Sequence, residues 1–187
     1  MREALKPKMV IPVIINGSGG VGKDEFVNIC RKLCDNNVNQ FADVTNISSV
    51  EIIKNAAVTL GWDYGKTEKD RKFLSDLKAL SKKYNNAPIK YMMNKYNNIA
   101  DYKITAGIYI LFFHIREIDE IKEFASMVKN PVTLLIRRNS VKEILSNSSD
   151  ANVENFKYDI VIDNNGTLED LENKAAEFLS SITGGLL

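Results

Sequence analysis

The sequence predicts an α/β protein, a three-layer α/β/α domain whose five-stranded parallel sheet carries helices on both faces. Three observations predict it. Short apolar runs such as Val10 to Ile15, Gly107 to Phe113 and Val132 to Ile136 alternate with stretches of helical periodicity. These runs are continuous rather than every-other-residue, as strands covered on both faces must be. A glycine loop also joins the first strand to the first helix, the order in which an open parallel sheet builds a ligand crevice at its strand carboxyl ends.

That loop is the most informative stretch of the chain. In VIPVIINGSGGVGKDEF, Gly17, Gly22 and Lys23 satisfy GxxxxGK, the P-loop, whose backbone N–H groups wrap phosphates while the lysine reaches the β and γ groups. Gly17, Gly19 and Gly22 also spell GxGxxG, the pyrophosphate turn of dinucleotide-binding folds, and Asp43 lies near the position of a ribose-binding acid. Lys23 at the helix start favours the P-loop, because the dinucleotide turn has no use for it, and a dinucleotide-binding protein is the lesser alternative. A plain glycine turn is a poor account, since four glycines at a helix N-terminus cost backbone entropy that phosphate binding would offset. The candidate phosphate ligands are Gly17, Ser18, Gly19, Gly20, Val21, Gly22, Lys23, Asp24 and Glu25. Asp24 stands where a Ser or Thr usually follows the lysine, and its carboxylate could hold Mg²⁺ directly, hold it through water, or cap the helix.

The remaining elements follow in order. Asp24 to about Cys34 reads as a helix with Phe26, Val27, Cys30, Leu33 and Cys34 inward, the two cysteines being buried reduced thiols. Phe41 to Thr45 is a short second strand, and Ser48 or Ser49 caps a helix from Val50 to Leu60 that Gly61 closes. Thr67 caps a helix with Phe73, Leu74, Leu77, Leu80 and Tyr84 on its inner face, ended by Asn85 and Asn86. Pro88 opens another helix that runs towards Asp101. This helical insertion, about 48–104, is far longer than an ordinary crossover and is a place to build a substrate site. Asp43 and, within the insertion, Trp62, Lys66 and Arg71 are the candidate acceptor-binding residues, the plainer reading of the last three being a core aromatic and a solvated charged face.

Past the insertion, the Gly107 to Phe113 strand ends in His114, Ile115, Arg116 and Glu117, at the ligand edge of the sheet. Ile118 to Val128 is a helix, and Val132 to Ile136 is a strand closed by Arg137 and Arg138. A short helix and the polar stretch NSSDANVENF make a lid-like segment, about 139–156. Tyr158 to Ile162 is the last strand, and Thr167 caps a helix through Leu168, Leu171, Ala175, Phe178 and Leu179.

Composition narrows the possible partners. The 187 residues suit one domain, 1–187, and 25 Lys plus Arg against 24 Asp plus Glu leave a net charge of +1. Such a balance offers no broad attraction to nucleic acid or to an anionic membrane. Met1 to Lys8 has no apolar signal core, and no run approaches the ~20 apolar residues of a membrane span, so a cytoplasmic location is expected. NKYN at 94–97 imitates a guanine-reading motif, but it falls in a helical pattern and no DxxG switch accompanies it. The oligomeric state is not legible.

GSGGVGKDEF, HIRE after the third strand and YDIVIDNNGTLEDLENKAAEFL together resemble the P-loop nucleoside monophosphate kinase group. The likeness is to its phage-type deoxynucleoside monophosphate kinases and to animal-type phosphomevalonate kinases, in which Asp commonly follows the P-loop lysine. Residues 62–106 look like adenylate-kinase-like ATP-binding proteins of bacteria and phages. The resemblance implies that Gly17 to Asp24 bind the phosphates of ATP and that Arg116 grips the acceptor phosphate. It departs from the group at His114, where an Asp usually precedes that arginine, and in a 139–163 stretch without arginine. Arg137 or Arg138 would then serve the transfer, and Asp24 or Asp43 would supply the charge for magnesium. NSSD at 147–150 resembles the group's HxSE run.

The expectation is therefore an ATP-dependent, Mg²⁺-assisted kinase for a small phosphorylated acceptor, a nucleoside or deoxynucleoside monophosphate. Lys23, Arg116, Arg137 and Arg138 are its catalytic candidates. The alternative from another class is an ATP-binding module without transfer activity.

Overall fold

The computed structural model describes residues 8–37, 41–101, 106–139 and 153–187. Five strands, β1 (Lys8–Asn16), β2 (Ala42–Ser48), β3 (Gly107–His114), β4 (Val132–Arg137) and β5 (Ile160–Asp163), form one sheet in the order β2-β3-β1-β4-β5. Every pairing is parallel. Among the described residues six helices flank the sheet: α1 (Lys23–Asp35), α2 (Glu51–Thr59), α3 (Glu68–Asn85), α4 (Ala87–Asp101), α5 (Ile118–Met127) and α6 (Leu168–Thr183). This is the P-loop NTPase-like architecture the sequence predicts. The lid-like segment lies mostly outside the described residues, which resume at a short 3₁₀ turn, Val153–Asn155.

The alternation of side chains along each strand explains the continuous apolar runs. Val13 and Ile15 of β1, with Ile110 and Phe112 of β3, face α1 and α6, where Phe26, Val27, Cys30 and Phe178 complete one core. Ile14, Leu111 and Phe113 face the opposite side and pack with Met92, Ile121 and Phe124. Aromatic rings lock both layers: Phe26 meets Phe178 edge-on at 5.4 Å, and Phe113 lies 4.5 Å from Phe124 between centroids. Cys30 and Cys34 are free and buried, and burial pushes the Cys34 thiol up to about 11, as inert core residues require.

The insertion departs from its periodicity. Helix α3 forms where expected, with Thr67 and Asp70 making a reciprocal capping box, and Asn86 ends it in the left-handed conformation. Yet none of its residues is buried, and Leu80 and Tyr84, expected inward, are exposed. Phe73, Leu74 and Leu77 are half-buried, and charge adds to their hold on the body. The buried Glu120 of α5 takes Lys78 at 3.0 Å and Lys82 at 3.4 Å, and Asn86 Nδ2 donates to Glu123 Oε1 at 2.6 Å. A helix whose inner face meets a carboxylate has no need to bury its whole apolar stripe. Helix α4 behaves as an ordinary core helix, with Pro88, Ile89 and Met92 buried.

Candidate phosphate-binding site

The sheet order puts β1 at the centre, and the crossovers from β1 and β3 go to opposite faces, carried by α1 and α5. Ligand crevices in open parallel sheets form at such a reversal, beyond the strand carboxyl ends. The loop from Gly17 to Gly22 lies there, between the end of β1 and the N-terminus of α1, so the first helical N–H groups and the positive end of the helix dipole face the loop.

The loop's shape depends on its glycines. Gly17, Gly20 and Gly22 have φ of 143°, 81° and 98°, in the region that side-chain-bearing residues rarely adopt. A Cβ at Gly17 would stand 2.2 Å from the Ile136 carbonyl oxygen of β4, so the loop rests on the neighbouring strand's backbone. At Gly22 a Cβ would meet Asn164 Nδ2 at 2.5 Å. That amide donates to the Val21 carbonyl at 2.8 Å and braces the loop from the end of β5. Gly20, by contrast, is exposed and has open space around it.

Lys23 is the first residue of α1, and its ammonium donates to the carbonyls of Gly17 and of Ser18, the latter at 2.7 Å. The positive charge therefore sits over the loop where phosphate oxygens would lie. Asp24 and Glu25 are exposed in the first turn of α1, and neither side chain caps the helix. Among the described residues no group of three or more metal-ligating side chains occurs. Mg²⁺ at a nucleotide does not require one, since one carboxylate completes a shell of phosphates and waters. Exposed Asp24 beside Lys23 fits that requirement.

At the end of β3 the structure gathers the HIRE residues next to this loop. His114 pairs in register with Ile15 of β1 and Ser48 of β2, and its carbonyl accepts from Ser49 N at 3.3 Å. Burial pushes the imidazole down to about 4; nearby Asp24 opposes that shift, while Lys23 and Arg116 add to it. The ring is neutral at pH 7, and its buried Nε2 has no hydrogen-bond partner among the described residues. Asp24, Lys23 and Arg116 thus all lie close enough to act on the His114 ring. Arg116 is exposed, and its carbonyl accepts from Asn16 Nδ2 at 3.2 Å.

The other candidates fall in different places. Arg137 ends β4 and is paired with Asp163 at the end of β5, with Arg138 exposed beside it. Asp43 is displaced from this edge, which corrects its assignment to acceptor, ribose or magnesium. It pairs with Tyr109, five residues before the Ser48 to His114 pairing, about 17 Å back along the strand, and its carboxylate accepts from Thr45 Oγ1 at 3.1 Å. The dinucleotide alternative loses its acidic partner by the same register.

Trp62, Lys66 and Arg71 follow α2, whose nine residues carry the chain about 14 Å onward from the end of β2. Trp62 is half-buried and packs against the exposed Tyr64, ring centroids 5.1 Å apart and planes tilted by 44°, while Lys66 and Arg71 are exposed. The structure does not join these three to the P-loop.

Sequence reasoning passed over Asn16 and Asn164, the two buried amides that hold the loop from below and beside. No motif marks them: Asn16 is the last residue of β1 and Asn164 follows Asp163, the last of β5, and each is recognised by partners 100 or more residues away.

The fold is shared with solved kinases. A sugar kinase from Janibacter sp. HTCC2649 superposes with a TM-score of 0.52 over 93% of this chain and 95% of its own, at 13% identity. A gluconokinase from Sinorhizobium meliloti 1021 gives 0.50 over 94% and 95%, at 8% identity. No family model matches the chain, and no curated protein matches it in sequence. Among the described residues no helix is long and apolar enough to cross a membrane.

Proposed function

We propose that this protein transfers the γ-phosphoryl group of ATP to a small phosphorylated acceptor, a nucleoside or deoxynucleoside monophosphate. The observation that carries the reading is the convergence of Lys23, on a glycine loop of P-loop geometry, with Arg116 at the adjacent strand end. In-line transfer between two anions requires cations on both, and these two residues supply one on each side.

Lys23 and the loop amides would hold the β and γ phosphates, and Arg116 the acceptor phosphate. Arg137 and Arg138, at the end of β4, would neutralise charge as the phosphoryl group passes. The acceptor oxygen forms the new O–P bond as the bond to the β-phosphate oxygen breaks, leaving ADP and a phosphorylated acceptor. No covalent enzyme intermediate is needed, because positioning and electrostatics account for the rate. Asp24 would hold Mg²⁺ directly or through water, and the ion would supply neutralising charge to the phosphates.

The test incubates the protein with ATP, Mg²⁺ and a panel of nucleoside monophosphates, with gluconate and simple sugars included because the fold is shared with kinases of those names. Formation of nucleoside diphosphates, abolished by Lys23→Ala, is the expected result. Transfer to a sugar instead would overturn the acceptor class. ATP binding with no transfer to any acceptor would leave a binding module, and unchanged transfer by Lys23→Ala would remove the P-loop from the mechanism.

A further inference from the structure

We propose that Asn16 is a positioning residue that sets the donor loop against the acceptor arginine, a proposal that rests on the phosphoryl-transfer reading above. Asn16 ends β1 and is buried. Its Oδ1 accepts the Gly17 N–H at 2.8 Å, which fixes the first turn of the P-loop. Its Nδ2 donates to the Arg116 carbonyl at 3.2 Å and to the Tyr158 hydroxyl at 2.8 Å. The Tyr158 hydroxyl in turn donates to the Val153 carbonyl at 2.9 Å.

A primary amide has two donors and one carbonyl oxygen, and here both donors and the oxygen are engaged. Only Asn among residues of this size offers that set. Asp would keep the bond from Gly17 N–H but lose both donors, and an apolar residue would lose all three. One rigid plane thus links the backbone of Gly17 to the backbone of Arg116, and Tyr158 holds the plane at its angle. Phosphoryl transfer is sensitive to donor and acceptor placement at the ångström level, so a buried group that joins the two segments governs the reaction without touching either substrate.

The prediction separates positioning from mere burial. Backbone amide signals of the wild type are followed by NMR while inorganic pyrophosphate is titrated, alongside Asn16→Asp and Tyr158→Phe. In the wild type the signals of residues 17–23 and of Arg116 are expected to move together. In Asn16→Asp the loop signals should still move, with pyrophosphate affinity within threefold, while the response at Arg116 falls by at least half. Turnover should fall at least tenfold with the KM for ATP within threefold. Tyr158→Phe should show the same pattern at smaller size, and serves if Asn16→Asp fails to fold. An undiminished Arg116 response in both variants overturns the positioning role alone. A parallel loss of pyrophosphate affinity and turnover that tracks thermal stability reduces Asn16 to a structural residue. Failure of the wild-type loop signals to respond to pyrophosphate instead overturns the phosphoryl-transfer reading.

Discussion

Arg137, the last residue of β4, lies opposite Asp163, the last residue of β5, and its guanidinium grips that carboxylate through Nε and through Nη2, the latter at 3.3 Å. The hydrogen bonds hold the Asp163 carboxyl below the usual carboxylate range. Both partners are exposed, so the pair contributes little to stability, under about 1 kcal/mol. Arg137→Ala should therefore leave the urea midpoint nearly unchanged. Turnover, however, should fall about 10³-fold if this arginine stabilises the transferring phosphoryl group. A turnover loss no larger than that of Asp163→Asn would assign Arg137 to scaffolding.

The two ends of the glycine loop should respond differently to a methyl group. Gly20→Ala places its Cβ in open space and bears only the left-handed penalty, about 1–2 kcal/mol. Gly17→Ala carries a comparable penalty and also drives its Cβ into the Ile136 carbonyl, which is backbone and cannot turn aside. Urea unfolding should show a clearly larger loss for Gly17→Ala. Fluorescent ATP binding should survive in Gly20→Ala and vanish in Gly17→Ala.

His114 makes folding sensitive to acid. Its folded-state pKa, about 4, lies below the ordinary imidazole value of 6.5, so the unfolded chain binds the proton first. The stability from keeping the ring neutral is fully present above about 6.5 and is lost as pH falls through about 4. From pH 7 to pH 4.5 this amounts to about 2–3 kcal/mol. His114→Gln, which has no titrating ring, should lose that much less over the same interval in denaturant titrations.

The lysines of α3 should rank by burial. Glu120 is 1% exposed, Lys78 18% and Lys82 40%. Lys78→Met removes the better-buried partner of a carboxylate that cannot rehydrate and should cost about 3 kcal/mol. Lys82→Met should cost about 1 kcal/mol, and Lys72→Met, whose i,i+4 partner Asp76 is exposed, about 0.3–0.5 kcal/mol. Equal costs for Lys78→Met and Lys72→Met would show that the buried pair does not hold α3 to the body.

The sequence by itself determined the five strands, the parallel sheet and the glycine loop between β1 and α1, because each rests on local signals. Continuous apolar runs mark strands covered on both faces, and Thr67, Thr167, Gly61 and Asn86 mark helix ends through side-chain or backbone chemistry that needs no distant partner. Lys23 after Gly22 was likewise legible from spacing alone. What only the tertiary structure decided depends on register and on long-range partners. Asp43 sits one short strand away from the edge where the sequence reading used it, and a strand's register is set by its neighbour, not by its own residues. Leu80 and Tyr84 obey a helical period yet stay exposed, because α3 is held through Glu120, a residue from another helix. Asn16 and Asn164 carry no motif. Their work, bracing the loop from neighbouring strand ends, appears only once residues 100 or more positions apart in the chain meet across the sheet.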